Sequence, residues 1–352
     1  MNKSKKTVSE IKEIILSGKC SEGSRLPSGR ALAKTLGVSL GTVTNALSTL
    51  AGEGYVRKMH GSGSYVAARK RRNSNPSICF LIDVMDDKLN PIWHLIYENF
   101  YLQSAGSGVK IELKVMPRER PLEIKDSLKD FDLIAVALGL TPEIIGMLVG
   151  IKRPLLWLDE SCDILPGATI CCDNFMAGSI VAEHFISQGC HKLAYMTYSF
   201  DGSRHYPSER RFDGFLAGVR NSKAEGCSVS SLSCFPESKS FRDEMKSCLI
   251  NIDGLFCFED NLAVKVATAV APSLRPPSDF ALAGIDDTPL GRFVTPPLTS
   301  VRQPCEEIGR ESWNFAKRIL GGEKLGEILK VKPELVVRES SMKGSCSIPN
   351  AI

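Results

Sequence analysis

The chain of 352 residues is long enough for two or three domains, and its 43% hydrophobic and 24% charged residues are typical of globular proteins. No apolar run approaches the ~20 residues that a membrane helix needs, and charged residues interrupt the basic N-terminal segment, which excludes a signal-peptide core. We therefore expect a cytoplasmic protein that has no contact with a membrane. The twelve cysteines form no CxxC pair, which predicts reduced, mostly buried thiols and no metal site.

The net charge of +4 is unevenly distributed. Residues 1–72 hold 14 lysines and arginines against 4 acidic residues, a balance of +10, so the remaining residues carry −6. A small basic segment before a mildly acidic body suggests contact with a polyanion. A solvated basic tail would give the same charge, but the helical periodicity of this segment argues against that alternative.

Three helices are predicted in the first 54 residues. Val8, Ile11, Ile14 and Ile15 repeat at helical spacing and predict a helix over 8–17. The second helix opens with Ser28 as its N-cap and ends at Gly37. Its expected apolar stripe consists of Ala31, Leu32 and Leu36.

The third helix has Ser39 as its predicted N-cap, and Val43, Ala46, Leu47 and Leu50 face inward. Two short helices joined by a tight turn that contains glycine form a helix-turn-helix pattern. The strand-like pairs Tyr55-Val56 and Tyr65-Val66 flank the turn sequence HGSGS, which predicts a β-hairpin, or wing, after the third helix.

This segment resembles the GntR-type winged helix-turn-helix over nearly all of residues 5–68. The resemblance rests on the first helix, the run LPSGRALAKTLGVSLGTVTNALSTLAGEGYV and the wing HGSGSYVA. It implies that the third helix enters the major groove of double-stranded operator DNA and that the wing approaches the minor groove.

Eleven residues are the expected DNA contacts, some implied by the resemblance and others by their position near the helix start or their basic charge: Arg30, Lys34, Ser39, Leu40, Gly41, Thr42, Thr44, Arg57, Lys58, His60 and Gly61. Arg30 could instead form a surface ion pair, Thr42 could serve helix packing, and His60 could be a turn residue. Many members of the family carry arginine where this chain has Leu40, and another near the position of Thr44. Bidentate reading of guanine is therefore not expected from these two places, and modest readout by apolar or hydroxyl contacts is expected instead.

The stretch ARKRRNSNPS, residues 68–77, has the composition of a linker. We predict a DNA-binding domain over 1–69, a linker over 70–76, a ligand-sensing domain over 77–340 and a tail over 341–352.

Residues 77–340 alternate apolar strand-like runs with helical stretches, and this alternation predicts a parallel α/β fold. The strand-like runs include SICFLIDV, IELKVM, DLIAVAL, RPLLWLD, ATICCDN, KLAYMTY, SVSSLSCF, DGLFCF and FALAGID. The length favours two similar α/β lobes. The predicted fold class is therefore α/β, with a winged helix-turn-helix followed by a two-lobed, periplasmic-binding-protein-like sensor domain.

The motif order CCDNFMAGSIVAEHFISQGCHKLAYM, RRFDGFLAGV, FCFEDNLAVKVA, DFALAGIDD and PPLTSVRQPCEEIGRESW resembles the sugar-sensing domain of LacI/GalR-type repressors. The resemblance implies three crossings between lobes and a ligand in the cleft. It places lobe 1 at about 77–171 and 302–325, and lobe 2 at about 172–299 and 330–340.

Seven residues match ligand-binding positions of that family: Asn90, Trp93, Asp159, Arg211, Glu259, Asp286 and Gln303. Arg211 would grip hydroxyls or a carboxylate, since its guanidinium is a rigid fork of donors. Asp159 and Asp286 would accept hydroxyl bonds, which suits polyols. Gln303 matches a crossover segment and could serve structure alone.

Glu259 stands where members of that family usually have asparagine. The added charge favours an unusual sugar or one that carries an amino group. An ion pair between Glu259 and Arg211 in the empty cleft is the alternative.

The sequence therefore predicts a homodimeric transcription regulator, a repressor by default, controlled by a sugar-like effector, with no catalytic residues, cofactor or metal. An aminotransferase-like enzyme fused to a winged-helix segment is a second interpretation, but no Schiff-base lysine motif, GxSxG or HExxH is present. A solute-binding protein for transport is a third, and the basic segment argues against it.

Overall fold

The computed structural model describes ten segments of the chain and shows two compact units, residues 1–75 and 76–352. The described segments are residues 3–16, 23–52, 55–59, 63–66, 75–85, 88–89, 91–117, 120–158, 165–199 and 206–343. Most of the predicted linker lies outside them.

The first unit consists of three helices and a hairpin. These elements are α1 (Lys3–Leu16), α2 (Gly29–Leu36), α3 (Leu40–Gly52), β1 (Val56–Met59) and β2 (Gly63–Val66). The two strands pair antiparallel with Val56 opposite Val66. The segment before α2 joins this hairpin, because the Leu26 amide donates to the Ser64 carbonyl oxygen over 2.8 Å. The predicted helices and wing are therefore present.

The helix boundaries of the helix-turn-helix follow from its caps. The Ser28 hydroxyl accepts a hydrogen bond from the Ala31 amide at the start of α2. Gly37 ends that helix at φ 64, a left-handed conformation that glycine adopts without steric cost. One packing prediction is wrong: Ala31 is exposed, and Ala33 packs against the core beside Leu32. The stripe is displaced because Ala31 lies on the face of α2 that also presents Arg30 to solvent.

The second unit contains two lobes, each built on a six-stranded sheet within the described residues. The strands are β3 (Ser77–Ile82), β4 (Val84–Met85), β5 (Lys88–Leu89), β6 (Lys110–Val115), β7 (Leu133–Ala137), β8 (Leu155–Leu158), β9 (Ala168–Cys172), β10 (Lys192–Tyr198), β11 (Ser228–Cys234), β12 (Gly254–Cys257), β13 (Ala281–Ile285), β14 (Thr299–Arg302), β15 (Ile328–Val331) and β16 (Glu334–Val336). The first sheet has the order β15-β9-β8-β7-β3-β6, and the second β11-β10-β12-β13-β14-β16.

All pairs in these two sheets are parallel except β14 with β16. The helices are α4 (Pro91–Gln103), α5 (Lys125–Leu128), α6 (Pro142–Gly150), α7 (Asn174–Ser187), α8 (Tyr206–Asn221), α9 (Phe241–Leu249), α10 (Asp260–Val270), α11 (Pro289–Phe293) and α12 (Cys305–Leu320). Short 3-10 helices occupy Pro121–Ile124 and Glu339–Ser341. None of the described helices is both long and apolar enough to cross a membrane.

The chain passes between the two sheets three times, after β9, after β14 and after β15. Strand β15 pairs with β9 in the first sheet, and β16 pairs with β14 in the second. The last passage therefore lies between Val331 and Glu334, later than the predicted lobe limits of 325 and 330. A separate apolar core covers the second sheet, and two more pack on the faces of the first.

Candidate functional site

Three neighbouring strands of the second sheet end in polar residues that lie in a row. Tyr198 ends β10, Glu259 follows β12, and Asp286 follows β13. These strands are adjacent and parallel, so their carboxyl ends meet at one edge, about 5 Å apart from strand to strand. Ligands of open parallel sheets bind outside this edge.

Arg211 of α8 joins this row to a crossover segment. Its Nε donates to the Asn174 Oδ1 over 2.8 Å, and its Nη1 donates to the Phe258 carbonyl oxygen over 2.8 Å. Asn174 is the first residue of α7, directly after the chain leaves the first sheet. Arg211 is only 5% exposed. The guanidinium is therefore held in place by two neutral oxygens.

Close packing of α7 and α8 sets the position of Arg211. A Cβ at Gly178 or at Gly214 would overlap the backbone of the opposite helix, at Arg211 and Phe175 respectively. At Gly218 it would approach the Ser179 carbonyl oxygen to 2.7 Å. Only glycine allows this approach, which carries the backbone of Arg211 against α7.

Glu259 is bonded to a tyrosine and not to Arg211. The Tyr198 hydroxyl donates to the Glu259 Oε1 over 2.5 Å. The predicted alternative of a Glu259–Arg211 ion pair is wrong as a direct contact, because the guanidinium is turned to Asn174 and Phe258. Burial raises the pKa of Glu259, opposed by the Tyr198 hydrogen bond and by the charge of Arg211.

Asp286 lies beside Gln303, which is on the second crossover segment. The Gln303 Nε2 donates to the Asp286 Oδ1 over 2.7 Å. The backbone of Asp286 has φ 107, a region that strains residues other than glycine and that occurs more often at functional sites. Burial raises the pKa of Asp286 well above its usual range, although the charge of Arg211 acts in the opposite direction.

Gln303 also has a buried oxygen without a hydrogen-bond partner in the described part of the chain. Gln303 is 5% exposed, and its amide is oriented toward Asp286. Four predicted ligand residues, Arg211, Glu259, Asp286 and Gln303, are therefore brought to one edge of the second lobe.

Two further acids support this edge. Asp260 accepts hydrogen bonds from the Ser300 hydroxyl and from the amide and hydroxyl of Thr288, and burial raises its pKa to about 6. Burial also acts to raise the pKa of Asp287, but hydrogen bonds from three arginines outweigh it and hold that pKa below its usual value. The two carboxylates fix the loop after β13, which carries Asp286.

The other predicted ligand residues are not placed at this edge. Asn90 and Asp159 lie outside the described residues. Trp93 belongs to the first turn of α4, which begins at Pro91, a residue that fits the first turn of a helix. Its side chain is 6% exposed and belongs to the apolar core of the first lobe. A ligand contact for Trp93 remains a prediction without support from this placement.

The first unit presents the start of α3 to solvent. The Ser39 Oγ accepts from the Thr42 amide over 3.1 Å and lies 2.8 Å from the Thr42 hydroxyl oxygen, so Ser39 caps α3. Leu40 is 47% exposed, and Arg30 and Lys34 are exposed on α2. Leu40 lies beside Gly29, where an added Cβ would approach its Cδ1 to 3.2 Å.

The remaining predicted DNA contacts that the structure describes are all exposed, and some of them have hydrogen-bond partners within the first unit. The Thr44 hydroxyl donates to the Leu40 carbonyl oxygen over 2.9 Å, and the Lys58 Nζ donates to the Ser48 hydroxyl over 2.6 Å. Gly41 and Arg57 are exposed. His60 and Gly61 lie outside the described residues. Contact with DNA remains a prediction for all eleven residues.

We call the residues around the carboxyl ends of β10, β12 and β13 the polar edge; it includes Arg211, Glu259, Asp286 and Gln303. Tyr198, Asn174 and Phe258 also belong to it, but they were not identified as site residues from the sequence. Tyr198 ends the strand KLAYMTY, so the rule that ligands lie at the carboxyl ends of strands could have found it. Phe258 contributes a backbone oxygen, which no side-chain motif reveals. No arrangement of histidine, cysteine and acidic residues in the described segments could hold a metal ion.

Two family models match the chain. Residues 3–66 match bacterial regulatory proteins of the gntR family, and residues 182–341 match the periplasmic binding protein-like domain. Among curated proteins, the ribose operon repressor of Halalkalibacterium halodurans is 27% identical over 49% of this chain and 52% of its own length. The HTH-type transcriptional repressor PurR of Mannheimia succiniciproducens is 26% identical over 51% of this chain and 54% of its own length.

Among solved structures, the complex of the transcriptional regulator CelR with cellobiose has a TM-score of 0.65 at 20% identity and covers 90% of this chain and 100% of its own. At this identity the likeness shows the fold alone. The chain spans about half the length of the curated relatives it matches. The predicted α/β architecture with a helix-turn-helix segment is confirmed.

Proposed function

We propose that this chain, which combines a gntR-type helix-turn-helix segment with a periplasmic-binding-protein-like domain, is a DNA-binding transcription regulator controlled by a small molecule. The observation that carries the proposal is the row of Tyr198, Glu259 and Asp286 at one sheet edge, with Arg211 held beside it. A buried arginine next to hydrogen-bond acceptors suits a hydroxyl-rich ligand.

The effector is sugar-like, bound at the edge that Arg211, Glu259, Asp286 and Gln303 share. Two crossover segments reach this edge, since Asn174 bonds Arg211 and Gln303 bonds Asp286. A ligand there would touch both the second lobe and the segments that lead to the first, so its binding would bias the angle between the lobes.

The DNA partner is a duplex operator, bound by the predicted DNA-binding domain, residues 1–69, within the first unit. The exposed start of α3 offers hydroxyl and apolar groups, while Arg30, Lys34, Arg57 and Lys58 supply positive charge. Phosphate contacts would then carry most of the affinity, and the tip of α3 would contribute modest readout of bases. A cytoplasmic homodimer that represses transcription by occlusion completes the proposal, because paired units read a near-palindromic site.

Selection from a pool of randomised duplexes tests this function. We expect the purified chain to enrich one sequence class and its affinity to fall steeply with salt. Arg30→Ala should weaken DNA binding and reduce the slope of the logarithm of the binding constant against the logarithm of the salt concentration. Leu40→Arg should raise nonspecific affinity and change the enriched bases. Asp126→Asn, which changes an exposed acid on the other unit, serves as the control and should change neither. A pool that remains random after selection would contradict the proposal.

A further inference from the structure

The polar edge of the second lobe has more free acceptors than free donors. Glu259 and Asp286 each have one carboxylate oxygen bonded, to Tyr198 and Gln303 respectively, and a second oxygen that has no hydrogen bond within the described segments. The buried Gln303 Oε1 also lacks a partner there. A buried acceptor without a donor is costly, so the Gln303 oxygen favours a ligand that brings a donor, and the two partly exposed carboxylate oxygens are open to accept from the same ligand.

The charges at the edge are unbalanced in the same direction. Among the described residues, Arg211 is the one cation that is hydrogen-bonded to other residues of the polar edge. Two of its nitrogens already donate to neutral oxygens. The charge of Arg211 acts to lower the pKa of both Glu259 and Asp286, while the charges of Asp260 and Glu259 act to raise the pKa of Asp286. The nearby Lys265 donates to Glu237 over 3.0 Å. Glu259 and Asp286 therefore share Arg211 without a direct bond to it, and the second cation that acts on Glu259, Lys265, is paired with Glu237.

A neutral sugar and an aminated sugar would meet this edge differently. Each hydroxyl brings lone pairs as well as a proton, and those lone pairs would face an edge that is already rich in acceptors. A protonated amine has three donors, no acceptor and a positive charge. It therefore offsets the charge imbalance and supplies the missing donors together.

Building on the proposed function, we propose that the effector is a polyhydroxylated ring that carries a protonated primary amine, which binds to Glu259 and Asp286. Arg211 retains the role of a donor to ring hydroxyls through its third guanidinium nitrogen. Gln303 holds Asp286 in place and offers its free oxygen to the same amine or to an adjacent hydroxyl. Glu259 is then the residue that determines specificity for the amine.

Matched ligand pairs test this inference on the intact chain. Isothermal titration calorimetry would give the Kd values of glucosamine, galactosamine and mannosamine. These would be compared with the Kd values of glucose, galactose and mannose, and of the three N-acetylated amino sugars. N-acetylation removes the charge but keeps the ring. We expect at least one amine to bind more than tenfold tighter than its parent sugar and its N-acetyl form.

Glu259→Gln is the decisive variant, because it keeps an oxygen that can accept from Tyr198 and removes the charge. It should reduce the preference for the amine to below about threefold, since the charge-assisted bond is lost. Glu323→Gln removes an exposed acid that pairs with Arg318 and should leave the preference unchanged.

Three results would overturn the inference. If parent sugars bind as tightly as amines to the wild-type chain, the amine assignment is wrong while the proposed function stands. If Glu259→Gln keeps the full preference, Glu259 does not bind the amine. If no sugar of either kind binds, the sugar-like effector and the amine fail together, while the DNA selection remains an independent result.

Discussion

Asp287 shows how one side chain stabilises the second lobe. Its carboxylate accepts hydrogen bonds from Arg292 and Arg302 over 2.9 and 2.8 Å, and from Arg338. The side chain is 1% exposed, while Arg292 and Arg302 are about half exposed, at 49% and 47%. One buried charge therefore ties α11, β14 and the segment after β16 together.

Asp287→Asn should lower the free energy of unfolding at pH 7 by about 2 kcal/mol. Breaking a buried ion pair costs about 3–5 kcal/mol, and the half-exposed arginines reduce that value. Urea unfolding measures it. Asp126→Asn, in an exposed pair with Lys129, should have little effect.

We also expect Asp287→Asn to change how the free energy of unfolding depends on pH. The folded pKa of Asp287 lies below its usual value, so its stabilising contribution is present above the unfolded pKa of about 4. That contribution is lost as the pH falls through the lower, folded pKa. Stability of Asp287→Asn should therefore fall less on acidification below pH 4 than that of the wild type. If the free energy of unfolding fell equally steeply below pH 4 in the variant and the wild type, the role given to Asp287 would be contradicted.

At the scale of elements, the crossing of α7 and α8 controls the site. Gly178, Gly214 and Gly218 let the two helices touch along their backbones. Arg211 lies three residues before Gly214 and takes its position from this contact. Its bond to Asn174 requires that α7 and α8 stay in register, and its bond to Phe258 connects α8 to the end of β12.

Gly214→Ala should destabilise the chain by at least about 2 kcal/mol, because overpacking a tight contact costs about 1–3 kcal/mol and here the obstacle is backbone. It should also weaken binding of any ligand that needs Arg211. Gly146→Ala in α6 is the matched control, since an added Cβ there meets nothing within 4 Å. That variant should be neutral or more stable by about 0.5–1 kcal/mol. Equal unfolding midpoints for the two variants would refute the close crossing.

Elements with strong hydrophobic patterns could be predicted from the sequence. The runs LLWL and ALAGI are fully buried strands, and the caps at Ser28 and Ser39 lie where the residue types predicted them. The third crossing between the lobes was implied by the family resemblance, but its position between β15 and β16 was placed too early, because two short strands in one segment carry no mark of which sheet they join.

The grouping of residues at the candidate site could be predicted in part, while their function as ligand contacts stays a prediction. Arg211, Glu259 and Asp286 stand in motifs or at strand ends, so their residue types and positions indicated them. Their hydrogen-bond partners could not be predicted from the sequence. Glu259 accepts from Tyr198 and not from Arg211, and Arg211 donates to the backbone oxygen of Phe258. Such contacts depend on the distances between strand ends, which only the folded chain fixes.

At the scale of the whole molecule, regulation by a ligand requires that the two units communicate. The second unit carries the polar edge, and the first carries the exposed start of α3. Regulation exists only if a ligand at the edge changes the affinity of the first unit for DNA. Such coupling is reciprocal, so DNA must change ligand affinity by the same factor.

The most direct test measures this coupling in both directions. Fluorescence anisotropy would give the Kd of the intact chain for the duplex enriched by selection, with and without a saturating sugar that binds in the titrations. The sugar Kd would then be measured with and without the duplex. We predict that both constants change by the same factor, at least about fivefold, corresponding to about 1 kcal/mol or more. A sugar that binds at the edge and leaves the DNA Kd unchanged would contradict the account.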